Sequence, residues 1–237
     1  MKFGIGQSPS RTEDARLLCG EGRYTDDVNI AGTAHGFVFR SPVAHGEIVR
    51  LDVEAAGTAP GVLAVLTGDD VAGDCIGDLA CLYPTKNADG SDHPLTPWPI
   101  LARERVRFVG NPVAFVVAET LAQAKDAAEL IDLETSDLPV EVDTLGAATG
   151  SASQIWDHIP GNIIFDFAEG DQDGVEKAFA EAHRVTRLRL VNNRVVSNAM
   201  EPRAAVAELD TEAGRYTLYL PSQGPSFVLG QLTEMLD

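Results

Sequence analysis

The sequence predicts an α+β fold, and three observations carry that reading. Short strand-forming runs, such as residues 34–39, 62–66 and 113–118, are separated by turn residues. One segment, after Thr120, combines helical apolar spacing with an N-terminal cap. Strands and helices follow one another without a regular βαβ repeat.

Residues 1–33 are polar and rich in Gly, Asp and Arg, and read as an extended arm with turns at Gly20, Gly22 and Asp26-Asp27. Strand signals follow at 34–39 and 47–53. Pro60-Gly61 turns the chain into a short apolar strand at 62–66. Residues 73–100 mix Gly, Asp, Pro and two cysteines, and read as a long surface loop. Val106 and Phe108 alternate with Arg105 and Arg107 as in a half-buried strand. Gly110-Asn111-Pro112 then turns the chain into a continuous buried strand at 113–118. Thr120, with Gln123 three residues on, has the form of a capping box. Behind it Leu121, Ala124, Ala127, Ala128 and Ile131 share one helical face. A strand signal at 140–142 closes this block.

Residues 143–162 are rich in Gly, Ala, Thr and Ser and read as a linker. The second block opens with a strand signal at 163–167. Asp173 and Glu176 start a short helix with Val175, Ala178, Phe179 and Ala182 inward. Leu188 and Leu190 alternate with Arg187 and Arg189 as a strand. Residues 204–209 and 216–220 form a hairpin around 210–214. Pro225 suits the first position of a helix, and Phe227, Val228, Leu232 and Leu236 follow at helical spacing. The sequence stops at Asp237 without a capping glycine or a polar tail, which reads as a cut rather than a natural terminus.

Composition narrows the function. A chain of 237 residues can bury a core in one large domain or two modest ones. It carries 36 acidic and 18 basic residues, a formal net charge of −18. That excess argues against nucleic acid or anionic membrane as the main partner, because phosphates recruit clustered Lys and Arg. No apolar run approaches the roughly 20 residues of a membrane span. No apolar leader follows Met1-Lys2. Cys19, Cys75 and Cys81 form no disulfide framework and fit a reducing, cytoplasmic compartment.

Several common chemical signatures fail. Gly4-Ile5-Gly6 and Gly20-Glu21-Gly22 lack the third glycine and the preceding strand of a phosphate cradle. No nucleophile elbow, Walker lysine or paired-cysteine metal motif is present. Asp26-Asp27 could be an acid–base or metal pair, but adjacent carboxylates after Gly-Arg-Tyr-Thr read as a solvated turn. His45 could be a ligand, but its place before a strand favours fixing a turn. Glu201, before a proline, reads as an acceptor of backbone N–H bonds rather than part of a site. Gln223 lies between a strand and a helix start, where N–H groups are free. Its amide can donate to an oxo or phosphate oxygen, or it can be solvated loop. Alone, these residues describe an acidic α+β protein and no reaction.

An ordered series of motifs adds one. It runs Gly6-Gln7-Ser8, Arg11, Glu13-Asp14, Arg16-Leu17-Leu18 and Gly20-Glu21-Gly22-Arg23-Tyr24-Thr25-Asp26-Asp27. It continues with His35, Arg40-Ser41-Pro42-Val43-Ala44-His45-Gly46-Glu47-Ile48, Pro60-Gly61-Val62 and Val106-Arg107-Phe108-Val109-Gly110-Asn111-Pro112-Val113-Ala114. It ends with Asn198-Ala199-Met200-Glu201-Pro202-Arg203-Ala204 and Ser222-Gln223-Gly224-Pro225. Nearly end to end, this resembles the N-terminal part of the molybdopterin-binding large subunit of the xanthine dehydrogenase, aldehyde oxidase and carbon monoxide dehydrogenase family.

The resemblance implies an α/β hammerhead domain with its arm over 1–142, a linker over 143–162, and the truncated beginning of a molybdenum-cofactor-binding α+β domain over 163–237. It implies an oxidoreductase that hydroxylates an aldehyde, an N-heteroaromatic compound or CO with water-derived oxygen. The implied cofactor is molybdenum on molybdopterin in its cytosine dinucleotide form, with 2Fe–2S clusters and FAD in partner subunits or domains. The implied partners are the remainder of the large subunit, an FAD-binding medium subunit and a 2Fe–2S small subunit, in a dimer of heterotrimers. Gln223 and Gly224 match cofactor-binding positions, and Gln223 approaches an oxo group of the metal. The segment around Glu201 is implied to lie beneath that site as structure. No residue is implied as a direct metal ligand. The family's Gly-Phe-Gly loop, substrate-contacting loops and catalytic glutamate match positions beyond Asp237, so this chain alone is expected to be inactive. Ser197 stands where the family often has proline or alanine. A second reading is a non-catalytic hammerhead-type binding or assembly module of such a complex. A third, an unrelated acidic ligand-binding protein, leaves the motif series unexplained.

Overall fold

The computed structural model describes residues 6, 8, 10–79, 81, 85–96, 98–193 and 195–236. Gly4, Ile5 and Gln7 of the arm, and Asp237, lie outside the described residues. The chain divides into two compact units, Ala34–Leu190 with Ser226–Asp237, and Met1–Thr33 with Val191–Pro225.

Two antiparallel three-stranded sheets organise the first of these units. In one, β1 (His35–Arg40) and β3 (Val62–Thr67) flank β5 (Pro112–Ala118). In the other, β4 (Arg105–Val106) and β6 (Asp132–Asp137) flank β2 (Gly46–Asp52). β5 is central, and Val113, Ala114, Val116 and Ala118 in it are fully buried, which explains its unbroken apolar sequence. The register of β1 on β5 slips between Phe39 and Arg40, opposite Pro112, whose nitrogen has no hydrogen for the ladder.

The helix α4 (Leu121–Ala128) forms behind Thr120, as its sequence predicts. The Thr120 hydroxyl oxygen accepts the Gln123 backbone N–H at 3.3 Å, and the hydroxyl donates to the Gln123 side-chain carbonyl at 2.8 Å. Ala124, Ala127 and Ala128 press against Ala114, Val116 and Ala118, with Ala56 of α2 (Glu54–Gly57) and Ile131 completing the core. Small side chains on both faces let helix and sheet approach closely. A second cluster of Ala102, Val106 and Val113 packs against Ile48, Leu51 and Leu133. After β3, α3 (Gly68–Gly73) begins with a reciprocal cap. Thr67 accepts the Asp70 N–H through its side chain, and the Asp70 carboxylate accepts the Thr67 N–H.

Residues 143–162 hold α5 (Thr144–Ala147) and are tied by their own side chains. Asn162, at φ 57°, donates its amide to the carbonyls of Ala147 and Ser153 and accepts the Ile155 N–H at 2.9 Å. Ile159 is buried.

Several expectations change. The signal at 105–108 yields only the two-residue β4, with Phe108 outside it, and residues 14–18 of the arm form a helix rather than extended chain. The signal at 140–142 forms no strand, and β6 supplies the pairing instead. Its sequence Asp-Leu-Glu-Thr-Ser-Asp is mostly polar because it is an edge strand that turns only Leu133 and Thr135 inward. Residues 163–167 form no strand, and Asp166 instead exchanges single bonds with the 87–88 turn. Residues 187–190 form none either, with Leu188 and Leu190 standing 79% and 81% exposed. Alternation favours an extended backbone, but a ladder also needs a partner edge, and no described strand provides one. The helix α6 (Gln172–Glu181) does form, capped by Asp171 through the Gly174 N–H at 3.0 Å. Its face at Val175 and Phe179 is exposed rather than inward.

The second unit contains α1 (Asp14–Leu18), a 3₁₀ turn at Thr25–Asp27, and the expected hairpin of β7 (Val206–Asp210) and β8 (Arg215–Tyr219). The last helix, α7 (Pro225–Leu236), opens on proline as predicted. Within the first unit its Met235 is buried, and the Met235 carbonyl accepts the Gly77 N–H at 2.8 Å.

Candidate functional site

The connection from β8 to α7 places Gln223 two residues before the helix. Proline at the first helical position lacks the N–H that would otherwise go unbonded, and its ring restricts the entry angle. The Ser222 hydroxyl oxygen accepts the Gly224 N–H at 3.0 Å, a local turn that brackets Gln223 on both sides. Gln223 is exposed, and its amide has no protein partner among the described residues. Its two N–H donors and its carbonyl are therefore available to a ligand.

Glu201 lies in the same compact unit and is committed to the fold. Its carboxylate accepts the Thr25 backbone N–H at 3.0 Å and the Thr25 hydroxyl at 3.3 Å. Thr25 is 6% exposed, so these donors have little access to water. The reading of Glu201 as a structural acceptor stands. Its partner was missed, because nothing in a single sequence marks a pair 176 residues apart.

The remaining candidates resolve into structure. Asp27 accepts the Tyr24 N–H at 2.8 Å and Asp26 shares its exposed 3₁₀ turn, as the solvated-turn reading predicts. His45 is 2% exposed, and its Nδ1 lies 2.9 Å from the Pro139 carbonyl. A carbonyl only accepts, so Nδ1 carries the hydrogen, and the ring pins the turn after β6. Gly20, at φ +75°, terminates α1 with its N–H on the Leu17 carbonyl, which accounts for one glycine of Gly20-Glu21-Gly22. Cys19, Cys75 and Cys81 are free and exposed.

The molybdopterin implied by the resemblance can be tested against these residues. Among the described residues no group of three or more His, Cys, Asp or Glu is placed to hold a metal ion. What the 220–224 connection offers is hydrogen-bond donors, with no side chain on Gly224 to obstruct approach. Such donors are chemically compatible with the oxygen-rich periphery of such a cofactor.

Comparison with known proteins shows the family. The family model described as "Aldehyde oxidase and xanthine dehydrogenase, a/b hammerhead domain" matches residues 19–139, and the "Molybdopterin cofactor-binding domain" model matches residues 155–237. The nicotine 6-hydroxylase large subunit of Paenarthrobacter nicotinovorans is 35% identical over 94% of this chain and 26% of its own length. The carbon monoxide dehydrogenase large chain of Afipia carboxidovorans is 34% identical over 95% of this chain and 28% of its own. The crystal structure of quinoline 2-oxidoreductase from Pseudomonas putida 86 superposes with a TM-score of 0.84 at 36% identity, covering 100% of this chain and 29% of that one. The chain thus spans between a quarter and a third of the length of these relatives. It belongs to the aldehyde oxidase and xanthine dehydrogenase family and carries that family's hammerhead domain followed by the start of its molybdopterin cofactor-binding domain.

Proposed function

We propose that this chain is a portion of the molybdopterin-binding large subunit of a molybdenum hydroxylase, which oxidises an N-heteroaromatic compound, an aldehyde or CO with oxygen from water. The observation that carries the reading is the order of the two family matches, hammerhead then cofactor domain, along one chain. The relatives' names support the substrate classes: nicotine 6-hydroxylase and quinoline 2-oxidoreductase for heteroaromatics, carbon monoxide dehydrogenase for CO, and aldehyde oxidoreductase of Megalodesulfovibrio gigas for aldehydes.

The domains run 1–142 and 163–237, joined by 143–162. Gln223 and Gly224 hold the cofactor, the first by its amide N–H and the second by leaving room. The cofactor is the cytosine dinucleotide form, and when bound it supplies oxygen transfer to the substrate carbon and takes up two electrons. The rest of the large subunit, an FAD-binding subunit and a 2Fe–2S subunit complete a cytoplasmic dimer of heterotrimers, and this chain alone does not turn over.

The test is to purify the complete subunit with its partners and, separately, the 237-residue chain, and to measure molybdenum by mass spectrometry and hydroxylation in ¹⁸O-labelled water. Near-stoichiometric molybdenum and labelled product are expected only in the complete complex. Stoichiometric metal in the isolated chain would overturn the fragment reading. A complete complex without molybdenum would leave an assembly module instead.

A further inference from the structure

A recess of about 110 Å³ opens beside β4, lined chiefly by Trp98, Arg105, Arg107, Phe108, Asn111 and Trp156. It is smaller than the roughly 150 Å³ of an enclosed cavity that admits one benzene ring, but it is open on one side, so a ring can enter in part. Trp98 and Phe108 stack with centroids 5.8 Å apart and planes at 27°. The Arg107 guanidinium lies 3.7 Å from the centroid of the Trp156 ring.

The two arginines differ in their partners. Arg105 is neutralised by Asp157 at 3.0 Å and Glu47 at 3.2 Å. Arg107 gives its Nε–H to the Ile155 carbonyl at 3.3 Å and an Nη1–H to the Arg105 carbonyl at 3.4 Å. Among the described residues its Nη2 group has no hydrogen-bond partner and no carboxylate forms an ion pair with it, although Asp157 and Glu104 act on its charge from farther off. Burial, and then the neighbouring Arg105 charge, hold its proton affinity below the ordinary arginine value, outweighing the opposite pull of Asp157 and Glu104. Asn111 is 8% exposed and accepts the Arg107 backbone N–H at 3.1 Å, which fixes the turn carrying the arginine. A half-buried cation with a free Nη2 group favours an anion whose oxygen can accept from it. The aromatic walls favour a flat apolar body behind that anion.

We propose that this recess binds a small aromatic carboxylate, one ring wide, with its carboxylate on Arg107 and its ring against the tryptophans. A carboxylate oxygen can accept from the Nη2 group while the ring fills the aromatic walls, which a phosphate, having no apolar body, leaves empty. The proposal is independent of what the complete enzyme oxidises.

The chain has two tryptophans, and both line the recess, so intrinsic fluorescence reports on it directly. The 237-residue chain is titrated with benzoate, and separately with benzamide, acetate and inorganic phosphate, exciting at the red edge of tryptophan absorption. Benzoate is expected to give a saturable change that benzamide, acetate and phosphate do not. Arg107→Met should weaken benzoate about tenfold or more, and Arg107→Lys, which keeps the charge without the planar guanidinium, by less. The four ligands on the parent chain decide the matter even if Arg107→Met fails to fold. No saturable change with benzoate, an equal change with benzamide, or undiminished binding in folded Arg107→Met would overturn the proposal. Equal binding of acetate would overturn it in favour of an acidic side chain of another polypeptide as the occupant, and equal binding of phosphate in favour of a simple anion site.

Discussion

Thr25 and Glu201 are joined by two hydrogen bonds, from the backbone N–H at 3.0 Å and the hydroxyl at 3.3 Å, across 176 residues of chain. This carboxylate ties the N-terminal arm to the segment that leads into the β7–β8 hairpin. Glu201→Ala leaves two poorly hydrated donors unpaired, at a cost of roughly 1–3 kcal/mol. Glu201→Gln keeps an acceptor and should cost less. Amide hydrogen exchange is the direct readout, with the Thr25 N–H exchanging faster in Glu201→Ala and close to the parent in Glu201→Gln. Unchanged protection in Glu201→Ala would remove the tie from the account.

Gly36 faces the ring of Phe115 across the β1–β5 pair, and a Cβ at position 36 would overlap that ring. Gly36→Ala should destabilise the first unit by about 1–3 kcal/mol through forced repacking. In a Phe115→Leu background the added penalty should shrink, since the overlapping atoms are gone. Urea unfolding of the two single variants and the double variant measures the coupling, and additivity would contradict it.

Asp70 caps α3, and hydrogen bonds from the Thr67 hydroxyl and N–H hold its carboxyl below the ordinary value of 3.8. A lowered folded value means that the ionised form is favoured by folding. Its stabilisation is therefore complete above the unfolded value and lost as pH falls through the folded one. Asp70 is exposed, so after solvent screening Asp70→Asn should cost only about 0.5 kcal/mol at neutral pH. That difference should vanish in strongly acidic buffer. A gap between Asp70→Asn and the parent that persists unchanged through the acid range would refute the cap as its source.

Asn162 makes three hydrogen bonds that close residues 147–162 on themselves, in a left-handed conformation that asparagine tolerates and β-branched residues do not. Asn162→Ala should open this segment to limited proteolysis, with cleavage between residues 147 and 162 faster than in the parent. Equal cleavage rates would show that the side chain contributes little there.

In the complete enzyme, Gln223→Ala removes an unspent amide donor from a braced turn. Where such a donor meets charge that grows on an oxygen, its loss costs roughly 10²- to 10³-fold in rate. Turnover per molybdenum should fall by that order, with molybdenum content near the parent's. Gln223→Glu should fall further, because its charge opposes the same oxygen. Parent-like turnover per metal in Gln223→Ala would make Gln223 a loop residue.

Local physics made much of this protein legible in advance. The cap at Thr120, the unbroken apolar run of β5, the hairpin around 210–214 and the proline opening α7 all depend on residues close together in sequence. The structure reproduces each one. The motif series around Asp26-Asp27, Glu201 and Gln223 also named the family without any tertiary information.

Tertiary structure decided what depends on partners. β6 is a strand because β2 offers it an edge, although its polar sequence gives no strand signal. Residues 187–190 alternate correctly yet form no ladder, because no described edge lies beside them. Arg105 and Arg107 look equivalent in sequence. Only the fold gives one two carboxylates and the other an indole face, because a side chain's charge environment is set by neighbours far away along the chain.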